Sequence, residues 1–370
     1  MSKVKSSILT ILLALGVVLA GCSSGNLTGE GSEEKEPVSE VEEIEQTNEQ
    51  TEETVDEQAD QYYFTANEGG SISKIDAASN TIVSKIEVEG SVHNVQVSPD
   101  GKTIGATVVP SMGGHSGGHS EEMTMTGKAI FYDIESDELI KEVEVGNHPA
   151  HIVFTENGKF AVVTNNEDNN ISVIDTESYT VVKTIDTGKG PHGFRISPDS
   201  QIAYIANMGE DTVSVVNLDT MTEEKRIKVG TAPVTTGITS DGKTLVATLN
   251  GENALALVDL ETEKVGKVEV GVGPAQVYIE ANDQFAYIAN QGTEETPSNS
   301  ATVVDLSEKK VTATIETGKG SHGVVVSPDS KRVYVTNMFE DTVSVIDTDK
   351  NKVIETIEVK GVPNGISITE

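Results

Sequence analysis

Residues 188–229 read GKGPHGFRISPDSQIAYIANMGEDTVSVVNLDTMTEEKRIKV, and this stretch decides the fold because it returns along the chain. Residues 318–345, GKGSHGVVVSPDSKRVYVTNMFEDTVSV, repeat its first part almost residue for residue. Segments ending at Asp76, Asp133, Asp175, Asn217, Asp259, Asp305 and Asp347 are seven copies of one strand end, spaced 57, 42, 42, 42, 46 and 42 residues. The two long intervals hold insertions at 110–127 and 292–300, so the underlying period is 42.

Each period holds four short β-rich runs divided by turn residues, at 194–197, 202–207, 212–217 and 225–229 in the quoted copy. A repeated four-stranded unit of this length predicts an all-β fold, a seven-bladed β-propeller with four-stranded antiparallel blades. Residues 61–89 supply three strands without an innermost one, whereas 363–369 match an innermost strand and nothing follows them. Pairing the N- and C-terminal strands completes one blade, closes the ring and removes the free sheet edges.

Tyr334-Val335-Thr336-Asn337 resembles the signature of the YVTN-repeat β-propeller family, with variants ending at Asn67, Asn165, Asn207, Asn250 and Asn290. The resemblance covers residues 61–370. It implies the same fold and an extracytoplasmic or cell-surface setting, but no common chemistry. Blade 2 departs from the pattern, with Val109-Pro110 and the 110–127 insertion where the Asn would stand.

Lys3 and Lys5 precede an uncharged apolar run at 8–20, too short to span a bilayer comfortably, so residues 1–21 read as a signal peptide. The run ends in Leu19-Ala20-Gly21-Cys22, which resembles the lipobox of bacterial lipoproteins. That resemblance implies a mature chain starting at a lipidated Cys22, anchored in the cell membrane on its extracytoplasmic side. Cys22 is the single cysteine, which excludes a disulfide framework and a cysteine-based metal site. Residues 23–60 carry 14 acidic residues against Lys35 alone and few large apolar side chains, so 22–60 read as an acidic tether too polar to fold. Residues 61–370 keep a net charge of −23, the total of −34 less +2 in 1–21 and −13 in the tether. This balance argues against nucleic acid and anionic lipid as partners of the folded part and is compatible with cations.

In a four-stranded antiparallel blade the residue just before the innermost strand looks into the channel mouth. Aligned on the Ser-Pro-Asp turn, that position holds His93, Ala150, His192, Val234, Ala275, His322 and Asn364. His148 and His151 flank Ala150, and His115 and His119 lie in the blade 2 insertion, whose loop opens on the same face. All seven histidines therefore map to one end of the ring. Met208 and Met338 follow the strand-ending Asn in blades 4 and 7, and the insertion adds Met112, Met123 and Met125.

Imidazole and thioether converging without a thiol suit a transition metal, with copper favoured over zinc. His93, His192 and His322 are expected as channel-mouth ligands, with the insertion capping or delivering the ion. Two other readings stand beside this one. Some seven-bladed propellers are metal-dependent lactonases or lyases, and Glu210, Asp211, Glu340 and Asp341 could supply carboxylates, although no nucleophile motif accompanies them. A tethered propeller could also act as a non-catalytic scaffold that binds a protein partner on one face.

Overall fold

The computed structural model describes residues 61–110 and 126–370, and among them 28 strands form seven four-stranded antiparallel sheets. Blade 4 consists of Pro191–Ile196, Ile202–Asn207, Thr212–Asn217 and Thr222–Lys228, ordered from the channel outwards. The innermost strand thus begins three residues before the apolar run at 194–197 that marks it in the sequence. Likewise the outermost strand starts at Thr222 and includes the polar Glu223 and Glu224. Only Ile227 of that strand is buried, because an outer strand needs backbone pairing with Thr212–Asn217 and little side-chain packing.

The ring closes as the sequence predicts. Pro363–Ile368 pairs with Tyr62–Asn67, setting Tyr63 opposite Ile368 and Thr65 opposite Ile366, and becomes the innermost strand of blade 1. The Thr369 amide donates to the Tyr62 carbonyl at 2.8 Å, and the Glu68 amide donates to the Val362 carbonyl at 3.0 Å.

Strand side chains alternate between faces, and each blade is covered on both sides, so inner and middle strands are buried at most positions, with apolar side chains where blades meet. Tyr204 packs towards blade 5 with Val213 and Leu245, while its neighbours Ala203 and Ile205 pack towards blade 3 with Val162 and Ile171. The result is seven apolar clusters, one at each blade-to-blade interface.

The repeated Asn has a physical role. Buried Asn207 donates from Nδ2 to Thr212 Oγ1 and Ser214 Oγ, both at 2.9 Å, and Asn337 does the same to Thr342 and Ser344. Each amide pins the turn between the second and third strands. Its bulk also requires a glycine opposite, since a Cβ on Gly188 would stand 2.3 Å from Asn207 Nδ2.

Candidate metal centre

The innermost strands begin with an irregularity that aims side chains into the channel. In blade 4, Pro191 pairs with Asn207 and Phe194 with Ile205, so the inner strand holds one extra residue. The same shift occurs in every blade, and in blade 2 it leaves His93 unpaired between Val92 and Asn94. Such a bulge turns a side chain out of the ladder. It delivers His93 and His192 to the channel mouth from blades 2 and 4. His151 arrives from blade 3, between them, with its backbone amide held by Thr164 Oγ1 at 2.9 Å.

One ring nitrogen from each of His93, His151 and His192 lies within 4.8 Å of the other two. The His93 and His151 ring centroids stand 6.2 Å apart, His93 and His192 5.5 Å, and His151 and His192 5.0 Å. His93 Nδ1 lies 3.2 Å from Glu68 Oε1 and His192 Nδ1 3.3 Å from the Val234 carbonyl oxygen. A carboxylate and a carbonyl can only accept, so these contacts call for a proton on both Nδ1 atoms; the Asn364 amide, 3.3 Å from His93 Nδ1, makes its shorter bond of 2.6 Å to Glu68. In the neutral rings both Nε2 atoms then present lone pairs, and they face each other at 3.4 Å. Close approach between blades permits this geometry, because a Cβ on Gly193 would stand 2.4 Å from Thr235 Oγ1 and 2.8 Å from the Val234 oxygen.

Two nitrogens bound about 2.0–2.1 Å from one tetrahedral ion lie roughly 3.4 Å apart. The separation of the two Nε2 atoms already suits a shared cation. His151, 1% exposed, keeps its Nε2 buried without a hydrogen-bond partner. Two acceptor-ready nitrogens beside a third, orphaned imidazole nitrogen form a donor set for a transition metal.

Glu68 supplies the outer layer. Burial opposes its ionisation, but the hydrogen bond and charge of His93, the Asn364 amide at 2.6 Å and nearby His322 together hold its carboxyl below the usual range. Burial pushes His151 well below an ordinary imidazole, with His192 and His93 adding to the effect. His192 keeps some surface on the channel, yet burial and then His93 and His322 push it down to about 3. His322 is pushed down to about 4, by burial first and His93 second.

A family model for YNCE-like β-propellers matches residues 140–370. The chain belongs to the YNCE-like β-propeller family. Among solved structures, Kuenenia stuttgartiensis hydrazine synthase is 20% identical with a TM-score of 0.65, over 75% of this chain and 89% of that one. A functionally unknown protein from Desulfotomaculum acetoxidans is 14% identical with a TM-score of 0.69, over 84% of this chain and 99% of that one. At these identities the likeness is one of fold. No curated protein matches the chain.

All five described histidines of this YNCE-like propeller lie at the same end of the ring, at or just before inner strands. His322, expected as a third ligand with His93 and His192, stands outside the group of mutually close nitrogens, and His151 takes that place. The reason is blade adjacency: His93, His151 and His192 occupy successive blades, whereas blade 1 with Asn364 separates His322 from His93. His148 lies in the preceding turn at φ 49°, half-exposed, 3.5 Å from Glu167. Met338 is buried with its Sδ 3.2 Å from Gln291 Nε2, and Met208 is exposed. Cys22, segments 1–21 and 22–60, and insertion residues Met112, His115, His119, Met123 and Met125 lie outside the described residues.

The carboxylates considered for an enzymatic site are engaged with neighbouring hydroxyl, amide and lysine groups. Glu210 accepts from Thr212 Oγ1 at 2.6 Å, and Asp341 from the Val362 amide at 2.7 Å. Asp211 pairs with Lys228 and Glu340 with Lys319. Glu68, which does reach a histidine, occupies the column of Met208 and Met338, immediately after the strand-ending Asn. Reading that column in blade 1 would have found it.

The depressed imidazoles also set an acid response. At neutral pH His151, His192 and His322 are neutral in the folded protein, while the unfolded chain takes up protons below about pH 6.5. The unfolded state binds more protons there, so stability is complete above pH 6.5 and declines as the pH falls towards 4. The slope is about 1.4 kcal/mol per pH unit for each such histidine. Chemical denaturation of metal-free protein at pH 7 and pH 4.5 should show this loss, and His322→Gln should make the slope shallower. Equal stability at the two pH values would contradict the burial of these rings.

Proposed function

We propose that this propeller is an exported, lipid-anchored protein that binds a transition metal ion, copper before zinc, at one mouth of its channel. His93, His151 and His192 are the ligands, and Glu68 orients His93. The observation that carries this reading is the pair of facing Nε2 atoms at 3.4 Å with both Nδ1 protons committed elsewhere. A carboxylate or carbonyl on the far nitrogen is the usual support for a metal-bound imidazole. Copper is favoured because divalent copper outranks zinc on nitrogen ligands and no thiolate is present to favour a softer site. A proton shared between the two Nε2 atoms is the competing occupant, so metal uptake releases protons.

Metal analysis of the full chain, purified without a histidine tag, tests the reading. One equivalent of copper that is absent from the triple variant His93→Ala, His151→Ala, His192→Ala supports it. A protein that takes up no stoichiometric copper or zinc favours the scaffold, and magnesium or calcium favours a lyase-like site built on hard oxygen ligands.

Export and anchoring rest on Lys3, Lys5, the apolar run 8–20 and Leu19-Ala20-Gly21-Cys22. A metabolically supplied fatty acid should label the wild type and leave Cys22→Ser unlabelled and released from membranes. Labelling that persists in Cys22→Ser would remove the anchor from the proposal.

A further inference from the structure

The end of the channel away from the histidines holds a cavity of about 410 Å³, within the roughly 300–1,000 Å³ range of small-molecule sites. The inner strand that brings His192 to one mouth carries Arg195 three residues further on. In the corresponding channel position the other blades hold Gln96, Val153, Gly237, Tyr278, Val325 and Ser367, so Arg195 is the single charged residue at this level. Its guanidinium lies over the Tyr278 ring, 5.6 Å from the centroid. Nη1 donates to the Phe194 carbonyl at 3.0 Å, and the group makes no ion pair among the described residues. This half-buried guanidinium offers five N–H donors in a planar fork that matches a carboxylate. One donor is used here, which leaves the rest of the fork free to face the cavity it lines.

Three residues further along, at the rim, the aligned positions are Pro or small residues in five blades and acids in two, Glu156 and Glu370. Both line the cavity. Burial and the Glu370 charge push the Glu156 carboxyl up, while Arg195 draws it down without reaching it as an ion pair. A plain anion would meet Arg195 only after passing this acidic rim. A molecule with separated charges of both signs satisfies both levels.

The geometry points to a second binding site, at the mouth opposite the histidines, for a small zwitterion of dipeptide size. Its carboxylate would be taken by Arg195 and its ammonium held at the rim by Glu156 and Glu370. Three strand residues span up to about 10 Å, and an extended dipeptide covers roughly 7 Å of that, leaving the side chains to close the rest. At the level of Arg195, Val153 and Val325 give the cavity lining an apolar side for a side chain.

Calorimetric titration of the full chain with Gly-Leu, its N-acetyl form and its C-terminal amide tests this site. Gly-Leu should bind, and either blocked form should bind at least tenfold more weakly. Arg195→Gln should remove the preference for the free carboxylate, with part of it restored in Arg195→Lys. Glu156→Gln combined with Glu370→Gln should remove the preference for the free amine. Absence of Gly-Leu binding at millimolar concentration overturns the proposal. So does equal binding of the blocked forms, or Gly-Leu affinity unchanged in Arg195→Gln. The copper ligands lie at the other mouth, so failure here is separable from failure of the metal reading.

Discussion

Deleting residues 361–370 should leave the propeller unfolded or reduced to a partly open ring at physiological temperature, whereas deleting 22–60 should leave the melting transition in place. The innermost strand Pro363–Ile368 is buried at every position and holds blade 1 to Tyr62–Asn67. Ile366 and Ile368 belong to the apolar cluster between blades 7 and 1, with Tyr63 and Tyr334. Losing each costs about 2–5 kcal/mol in lost transfer and cavity terms. Every backbone group stripped of its partner on the strand Tyr62–Asn67 adds about 1–3 kcal/mol if it stays buried. Set against a total stability of about 5–15 kcal/mol, these losses decide the outcome. Circular dichroism melting of the two deletions checks it, and an unchanged transition without 361–370 would contradict the closure.

The second large effect concerns the metal. His93→Ala, His151→Ala and His192→Ala should each weaken copper binding by about 100-fold or more, beyond the 10–100-fold typical of outer-layer changes. Glu68→Gln should fall inside that outer-layer range, because the amide no longer anchors the His93 Nδ1 proton with a full charge. His322→Ala should change affinity by less than about tenfold, since blade 1 stands between it and the triad. Competition titration with a chelator of known copper affinity resolves these classes. An effect of His322→Ala equal to that of His151→Ala would show that the ion sits nearer the channel axis than the triad allows.

The blades were legible because the turn residues recur at fixed spacing and because closure follows from the unmatched ends. The first turn of each inner strand was less legible. Pro191-His192-Gly193 reads as a loop, yet in the ring it is a bulged strand start, since tertiary packing against the neighbouring blade overrides local propensity. The same feature explains the partial view of the site. Column alignment groups His93, His192 and His322 as equivalents, which is correct for position in the blade. Whether equivalent residues meet depends on which blades adjoin, and His151, one place further along its strand, meets His93 and His192 because blade 3 lies between theirs. Glu68 stands in a column whose other chemical signal, Met208 and Met338, is sulfur, so a carboxylate there has no motif to mark it. The cavity around Arg195 had no sequence signal beyond one arginine in an otherwise uncharged inner-strand column.

Copper-edge anomalous diffraction from crystals of the full chain grown with one equivalent of copper tests the central claim most directly. The account predicts a single strong peak bonded to Nε2 of His93, Nε2 of His192 and a ring nitrogen of His151, with Glu68 still on His93 Nδ1. A map with no peak there, or with the copper elsewhere while His93 and His192 share a hydrogen bond, would contradict it.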